Sequence, residues 1–309
     1  MKTTIITVLF AVFFASVIQT SGAESVLKGN LNQQKLSKAQ TWKVEGNTAT
    51  GVQIPKKWPS ILLTLDLEEN TFYRISYEYQ LQDGTEKDSF NVKIGGKMIL
   101  RHIANAGWSK TAGYFYNEKA GKQKMQIYLE GPTAFRASFR DLKIEKLALE
   151  EVKTITADFN ADAGPNPSFF YKHSPKSDAW KLEIVPAEDF VDEGKALKVT
   201  NTAENKGCNV RSYDLPLELN KNYRLTFWAK AKKPVAVTVC VDGYLRGAKK
   251  HFYRSSKYQL AEEWKQYTLE FKSPTEEEHP EMAKHTVCLV LSLPKNSSAE
   301  FKNFVMEQK

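Results

Sequence analysis

Apolar and polar side chains alternate along most of the chain, which is the pattern of β-strands that bury one face. In "NKNYRLTFWAKAKK" (residues 220–233) apolar residues occupy every second position from Tyr223. The same period of two runs through "VAVTVCVD" (235–242) and "VCLVLSL" (287–293). Turn dipeptides such as "DG" and "GG" separate these runs, and no long helical period follows the N-terminal segment. The pattern therefore predicts antiparallel sheets and an all-β protein.

The chain repeats this pattern once, at a spacing of about half its length. "NTFYRISYEYQLQD" (70–83) has the same pattern as residues 220–233. Further matches follow in the same order in both halves: "WKVE" (42–45) with "WKLE" (180–183), "LDLEEN" (65–70) with "LPLELN" (215–220), Trp108 with Trp264, and Pro132 and Phe139 with Pro294 and Phe301. A repeat of this length is a tandem pair of domains. We predict two β-sandwiches, residues 24–150 and 154–309, with a boundary at Leu149 to Thr154.

Residues 1–23 have the composition of a secretory signal peptide. Lys2 precedes an apolar run from Ile5 to Ile18, and small residues end at Ala23. The run is shorter than the ~20 apolar residues of a membrane-spanning helix, and no second apolar run follows it. We therefore predict a secreted protein, extracellular or periplasmic, whose mature chain does not span a membrane.

The net charge bears on the class of ligand, and the cysteine content limits the number of disulfides. The net charge is +8, from 44 basic and 36 acidic residues, and the basic residues are dispersed in pairs such as Lys56–Lys57. This does not favour nucleic acid, which proteins bind with clustered positive charge, but it permits an anionic polysaccharide. Three cysteines, Cys208, Cys240 and Cys288, permit one disulfide in an oxidising compartment, although sequence does not decide their state.

The second half resembles carbohydrate-binding modules of the family 4 and 9 type. The resemblance is carried by "DFNADAG" from Asp158, "ALKVT" (196–200), "LELNKNYRLTFWAKAKK" (217–233), "EWKQYTLEF" (263–271) and "SAEFKNFVM" (298–306). It implies two tandem jelly rolls of the galactose-binding-like class, with a sheet face or loop rim on which sugars stack against aromatic rings. The first half is similar through the repeat alone.

Candidate binding residues are those in which the two halves differ. Trp228 lies on the polar side of its strand, where the first half has Glu78. An exposed indole is a rigid platform for the apolar face of a pyranose. The alternative is that Trp228 lies under a loop and only packs.

A second set of candidates lies in and near "CVDGYLRGAKKHFYRSSKY" (240–258), where aromatic rings and cations suit an anionic sugar. The alternative is a solvated hairpin whose rings fill the sandwich edge. The full set of predicted ligand-binding residues is Trp228, Tyr244, Arg246, Tyr253, Tyr258, Arg211 and Tyr213.

Neither a cofactor nor a catalytic centre is predicted. The resemblance implies a structural calcium near the first and last strands, but Arg140 and Lys302 stand where the closing motif would supply an acid, and Asp158 and Asp162 are too few oxygen ligands. The five histidines lack metal-ligand spacing, and no nucleophile or phosphate-binding motif is present.

We therefore expect a non-catalytic polysaccharide-binding protein whose second domain binds and whose first domain is a scaffold. Two alternatives remain: a structural or adhesion protein of the cell surface, and a jelly-roll polysaccharide lyase or hydrolase. Sequence does not identify the glycan or the oligomeric state.

Overall fold

The computed structural model describes residues 25–85, 87–103, 105–162, 166–172, 179–243, 252–278 and 286–309. The predicted signal peptide, residues 1–23, lies outside these ranges. The described chain forms four antiparallel sheets, packed as two β-sandwiches. The predicted all-β class, with two tandem sandwiches, is confirmed.

The first sandwich contains ten strands in two five-stranded sheets, with orders β1-β4-β9-β6-β7 and β2-β3-β10-β5-β8. A 3-10 turn, Leu31–Gln33, precedes them. The strands are β1 (Ser37–Lys38), β2 (Trp42–Glu45), β3 (Thr48–Val52), β4 (Ser60–Leu67), β5 (Thr71–Gln82), β6 (Ser89–Ile94), β7 (Lys97–His102), β8 (Asn105–Asn117), β9 (Gly121–Glu130) and β10 (Arg136–Lys146).

Helix α1 (Leu149–Val152) leads into the second sandwich, which has two six-stranded sheets. The strands are β11 (Thr154–Ala157), β12 (Phe170–Lys172), β13 (Trp180–Pro186), β14 (Lys195–Asn201), β15 (Cys208–Ser212), β16 (Leu215–Pro216), β17 (Asn222–Lys230), β18 (Val235–Gly243), β19 (Phe252–Leu260), β20 (Lys265–Lys272), β21 (Thr286–Leu293) and β22 (Ser297–Gln308). One sheet has the order β13-β14-β22-β17-β20, and β11 pairs with β22. The other has the order β12-β15-β21-β18-β19, and β16 pairs with β21.

The repeated line N-x-x-Y-R builds the same local structure in both sandwiches. Asn70 and Asn220 adopt a left-handed backbone, with φ of 51° and 57°, which asparagine tolerates better than most residues. Three residues later a buried tyrosine hydroxyl accepts a hydrogen bond from a backbone amide, Glu68 N to Tyr73 at 2.9 Å and Glu218 N to Tyr223 at 2.8 Å. The line recurs because each sandwich needs this turn and buried ring once.

The two sandwiches touch through Tyr213. Its ring is buried with the core of the first sandwich, and its hydroxyl accepts a hydrogen bond from Arg101 N at 2.8 Å. The same hydroxyl donates to Arg101 O. Strand β7 of the first sandwich is thereby joined to the end of β15 in the second.

Candidate functional site

Trp228 lies on the outer face of the β13-β14-β22-β17-β20 sheet, away from the core formed by its neighbours Phe227 and Ala229. Phe190, from the segment between β13 and β14, meets the Trp228 ring edge to face at 5.2 Å between centroids. Phe190 also meets the ring of Trp264 at 5.4 Å. Trp228 is therefore half-buried beneath a loop residue.

Three further contacts fix the segment that carries Phe190. Glu188 O accepts hydrogen bonds from Trp264 Nε1 at 2.8 Å and from Lys230 Nζ at 2.7 Å. Lys302 Nζ lies 4.2 Å from the centre of the Phe190 ring. We call Phe190, Trp228, Lys230, Trp264 and Lys302 the Trp228 cluster. Its contacts match the alternative in which Trp228 packs under a loop.

Arg211 and Tyr253 lie on the opposite sheet. On the outer face of the β12-β15-β21-β18-β19 sheet, Tyr171 pairs with Arg211, and Asp242 pairs with Cys288 on one side and with Tyr253 on the other. We call these five residues the Arg211 face. The structure thus places Arg211 and Tyr253 on one face, on either side of Asp242, and separates both from Trp228.

A buried ion pair holds the centre of the Arg211 face. Arg211 Nη2 lies 2.8 Å from Asp242 Oδ2, and the two side chains are 17% and 5% exposed. Cys288 Sγ donates to Asp242 O at 3.4 Å and accepts from Arg211 Nη1 at 3.5 Å. A guanidinium and a carboxylate fixed in this way form a preorganised polar pair with little rotamer freedom left to lose.

Tyr253 is the exposed ring of this face. It is 44% exposed and stands beside Asp242 on edge strand β19. A hydrogen bond with the Cys240 thiol, together with burial, raises the pKa of Tyr253 above its usual range. The tyrosine therefore stays protonated at neutral pH and offers a neutral ring with a polar tip.

The three cysteines are free and buried. Cys240 and Cys288 lie on the same face of neighbouring strands, but Cys240 pairs with Val290 and Cys288 with Asp242, so the two thiols are offset along the strands. Burial raises the pKa of Cys208 and of Cys240 to about 11, and it also raises the pKa of Cys288. Thiols with raised pKa values are poor nucleophiles, so these cysteines pack rather than react.

The second sandwich is similar to a known family. Residues 178–287 match the family described as a carbohydrate binding domain. The predicted resemblance to modules of the family 4 and 9 type is confirmed over these residues. None of the curated proteins matches the chain.

Solved structures that are similar to this chain include carbohydrate-binding modules. The tandem CBM22-1 and CBM22-2 domains of Xyn10C from Paenibacillus barcinonensis are 13% identical, with a TM-score of 0.39, over 93% of this chain and 98% of that chain. A putative sugar binding protein from Bacteroides thetaiotaomicron is 14% identical, with a TM-score of 0.36, over 46% of this chain and 88% of that chain.

The remaining predicted binding residues of the second sandwich are not on the Arg211 face. Tyr258 meets Phe227 edge to face at 5.4 Å and donates its hydroxyl to Thr268 O at 2.7 Å, which closes the edge between the sheets. Tyr213 is only 6% exposed and is occupied by Arg101, so a ligand cannot reach its ring. Tyr244 and Arg246 lie outside the described residues.

A calcium ion does not fit at the closing strand. Lys302 is 2% exposed, and its Nζ donates to Asp192 O at 2.8 Å, close to the backbone of Gly194. The lysine ammonium already supplies a buried positive charge at this position, and it would repel a metal ion. Among the described residues, no group of three or more His, Cys, Asp or Glu could hold a metal.

Sequence reasoning missed Tyr171 and Asp242. Asp242 ends the alternating run 235–242 and begins the turn dipeptide "DG", and neither pattern points to its partner Arg211, which lies 31 residues earlier. Tyr171 lies in a three-residue strand without an alternating pattern. Cross-strand pairing, which sequence alone does not give, joins both to Arg211.

Proposed function

We propose that the second sandwich binds a polysaccharide on the Arg211 face. Tyr253 stacks on the apolar face of a sugar ring, while the Arg211 guanidinium, held in place by the buried Asp242 carboxylate, hydrogen-bonds to the polar groups of the sugar. The observation that carries the proposal is an exposed ring in register with a buried, preorganised ion pair. The family match over residues 178–287 supports the ligand class.

We further propose that the glycan is anionic. The outer side of β19 carries the exposed Lys257 in addition to Tyr253, and Arg211 presents a planar guanidinium that can pair with a carboxylate or sulfate. Attraction of this kind weakens as salt is added. Binding that falls between low and high ionic strength would support an anionic ligand.

A binding role accounts for this face better than catalysis. A lyase that uses tyrosine as a base needs a lowered tyrosine pKa, whereas the pKa of Tyr253 is raised. The Asp242 carboxylate is 5% exposed and lies 2.8 Å from Arg211 Nη2, so a substrate cannot reach it as a base. The face also differs from a flat, wholly polar sheet, which would favour a structural or adhesion role, because the exposed Tyr253 ring lies at one edge. At the other edge Tyr171 stacks on Tyr213 at 5.2 Å, against the core of the first sandwich.

We propose that the protein acts outside the cytoplasm. The predicted signal peptide and the ligand class agree on this location. None of the helices in the described ranges has the length and hydropathy needed to cross a bilayer.

Affinity electrophoresis of the full chain tests the binding proposal. Gels would contain xylan, a soluble cellulose derivative, alginate, pectin or dextran sulfate. The wild-type protein is expected to be retarded by at least one of them, and Tyr253→Ala is expected to lose most of that retardation. Val191→Ala, which alters an exposed apolar residue of the same sandwich, is the matched control. Unchanged mobility of the wild type in every gel would refute the proposal.

A further inference from the structure

The first sandwich has an exposed ring of its own. Among the described aromatic side chains, the strongly exposed ones are Trp58, at 68%, and Tyr253, at 44%. Trp58 lies in the connection between β3 and β4, residues 54–59, which we call the Trp58 loop. Large aromatic side chains are mostly buried, so an indole exposed to this degree needs an explanation.

The Trp58 loop is held rigid from beneath by one buried side chain. Gln53 is 1% exposed, and its Nε2 donates to Ile54 O at 3.1 Å, Lys57 O at 2.8 Å and Gly131 O at 3.3 Å. Lys57 N closes the turn on Ile54 O at 3.0 Å. A ring on such a loop is preorganised, so a ligand that stacks on it loses little conformational entropy.

The second sandwich has an equivalent buried amide side chain beneath the corresponding connection, but that connection carries no aromatic residue. Gln53 and Asn201 occupy equivalent positions. Ala49 pairs with Phe139, and Leu197 pairs with Phe301. Gln53 lies four residues after Ala49, and Asn201 lies four residues after Leu197. Asn201 is 1% exposed, and its Nδ2 donates to Lys206 O at 3.0 Å and Pro294 O at 2.9 Å. The connections that these amides support read "IPKKWP" (54–59) and "TAENKG" (202–207). The support is shared, so Trp58 is not required by the fold.

Trp58 points to the outer side of the β1-β4-β9-β6-β7 sheet. Pro59 O still accepts a hydrogen bond from Leu129 N at 3.1 Å, so pairing with β9 extends past the start of β4. The next position, Ser60, faces outward, because Ile61 is buried in the core. Alternation then places Trp58 on the same side as Ser60. In strand order this sheet corresponds to the one that carries Tyr253.

The surroundings of the ring favour a charged glycan over a membrane. Lys56 and Lys57 are exposed, and no ion pair within the described ranges includes either. The other exposed apolar residue nearby on a strand, Val52, projects from the opposite sheet, because its neighbour Gly51 faces the core against Trp42. Ile54 of the Trp58 loop is 38% exposed, so the apolar surface here is one indole and one partly exposed isoleucine. Beside two ammonium groups this surface is enough to stack on one sugar, and it is too small to insert into a bilayer.

We propose that Trp58, with Lys56 and Lys57, forms a second binding site, for a polysaccharide that carries carboxylate or sulfate groups. This site shares its ligand class with the proposed function but uses none of the residues of the Arg211 face. The chain is then bivalent, and the first sandwich binds ligand rather than acting only as a scaffold. Two sites on one chain raise the affinity for a long polymer by effective concentration.

Affinity electrophoresis on alginate, pectin and dextran sulfate compares four full-length proteins: wild type, Trp58→Ala, Tyr253→Ala and the double variant. Trp58→Ala is expected to weaken retention roughly tenfold, and the double variant to be weaker than either single variant. Trp58→Phe should restore part of the binding, and Leu149→Ala, another exposed apolar residue, should change nothing. Wild-type retention that is unaffected by Trp58→Ala would overturn this site while leaving the proposed function intact.

Iodide quenching separates the two sites. Of the six tryptophans, Trp42 and Trp180 are buried and Trp108, Trp228 and Trp264 are half-buried, so iodide reaches Trp58 first. In Tyr253→Ala, added anionic glycan is expected to reduce quenching at low salt, and Trp58→Phe should abolish that protection. No protection by any glycan, or protection by anionic lipid vesicles alone, would overturn the proposal.

Discussion

Three equivalent positions of the two sandwiches share a cation and a tryptophan and differ at the third, where the first sandwich has Glu78 and the second has Trp228. In the first, Glu78 pairs with Arg140 at 2.6 Å, and the Arg140 guanidinium lies 4.2 Å from the centre of the Trp108 ring. In the second, Trp228, Lys302 and Trp264 occupy the corresponding places, and Phe190 lies against all three. An ion pair at the surface is thus replaced by a half-buried aromatic cluster.

A difference in loop length explains the replacement. In the first sandwich β2 and β3 are joined by Gly46 and Asn47 alone, whereas β13 and β14 are joined by the eight residues 187–194. The longer connection folds over the sheet and needs an apolar surface beneath it, which Trp228 supplies. The comparison teaches that an additional tryptophan on the polar side of a strand can mark a covering loop rather than a ligand.

The largest effect is expected from removing the ring by which that loop packs on Trp228 and Trp264. Phe190→Ala leaves Trp228 and Trp264 without their shared contact and should lower the free energy of unfolding of the second sandwich by about 2–3 kcal/mol. Denaturant titration measures this. Val191→Ala, at an adjacent residue that is 98% exposed, should stay within about 0.5 kcal/mol of wild type. Equal effects of the two changes would show that the loop is not held by Phe190.

The next effect tests the buried cation. Lys302→Met deprives Asp192 O of its donor in a buried site and should cost about 2 kcal/mol, whereas Arg140→Met, at a side chain that is 40% exposed, should cost about 1 kcal/mol or less. Thermal unfolding with and without a calcium chelator is the companion measurement. We expect an unchanged melting temperature, and a decrease on chelation would contradict the assignment of this charge to Lys302.

The two sandwiches should respond to pH in opposite directions. Burial lowers the pKa of His102, in the first, to about 3, so its contribution to stability is lost as the pH falls below about 6.5, by about 2 kcal/mol at pH 5. Burial raises the pKa of Asp162, in the second, to about 7, so its contribution is lost as the pH rises from about 4 through 7. Unfolding free energies across pH 4–8, with His102→Gln and Asp162→Asn as the variants, measure both slopes. Slopes unchanged by these variants would contradict the assignment.

The smallest effect is expected at the surface ion pair of the first sandwich. Glu78→Gln removes a charge that is paired with the half-exposed Arg140, and such pairs contribute less than about 1 kcal/mol. Denaturant titration in low and high salt should show the cost shrinking as salt screens the pair. A loss of unfolding free energy as large as that expected for Phe190→Ala would contradict the proposed difference between the Glu78 and Trp228 positions.

The sequence predicted those structural features that depend on a single strand. The alternation at Tyr223, Leu225 and Phe227 correctly predicted the buried face, because period two needs no partner strand. Alternation also predicted that the side chains of Arg211 and Val210, which are consecutive in β15, lie on opposite faces of the sheet. Trp228 is covered by Phe190, which lies 38 residues earlier in the chain, and no local sequence pattern predicts a contact over this separation. The Tyr213 contact with Arg101 joins two domains and was likewise inaccessible to local patterns.

Affinity for one retained polysaccharide, measured by titration of the full chain, tests most directly which face binds. Trp228→Phe keeps a ring against Phe190, and its dissociation constant is predicted to stay within about twofold of wild type. Tyr253→Ala is predicted to weaken binding roughly tenfold. Strong loss in Trp228→Phe together with wild-type affinity in Tyr253→Ala would contradict the assignment of the Arg211 face.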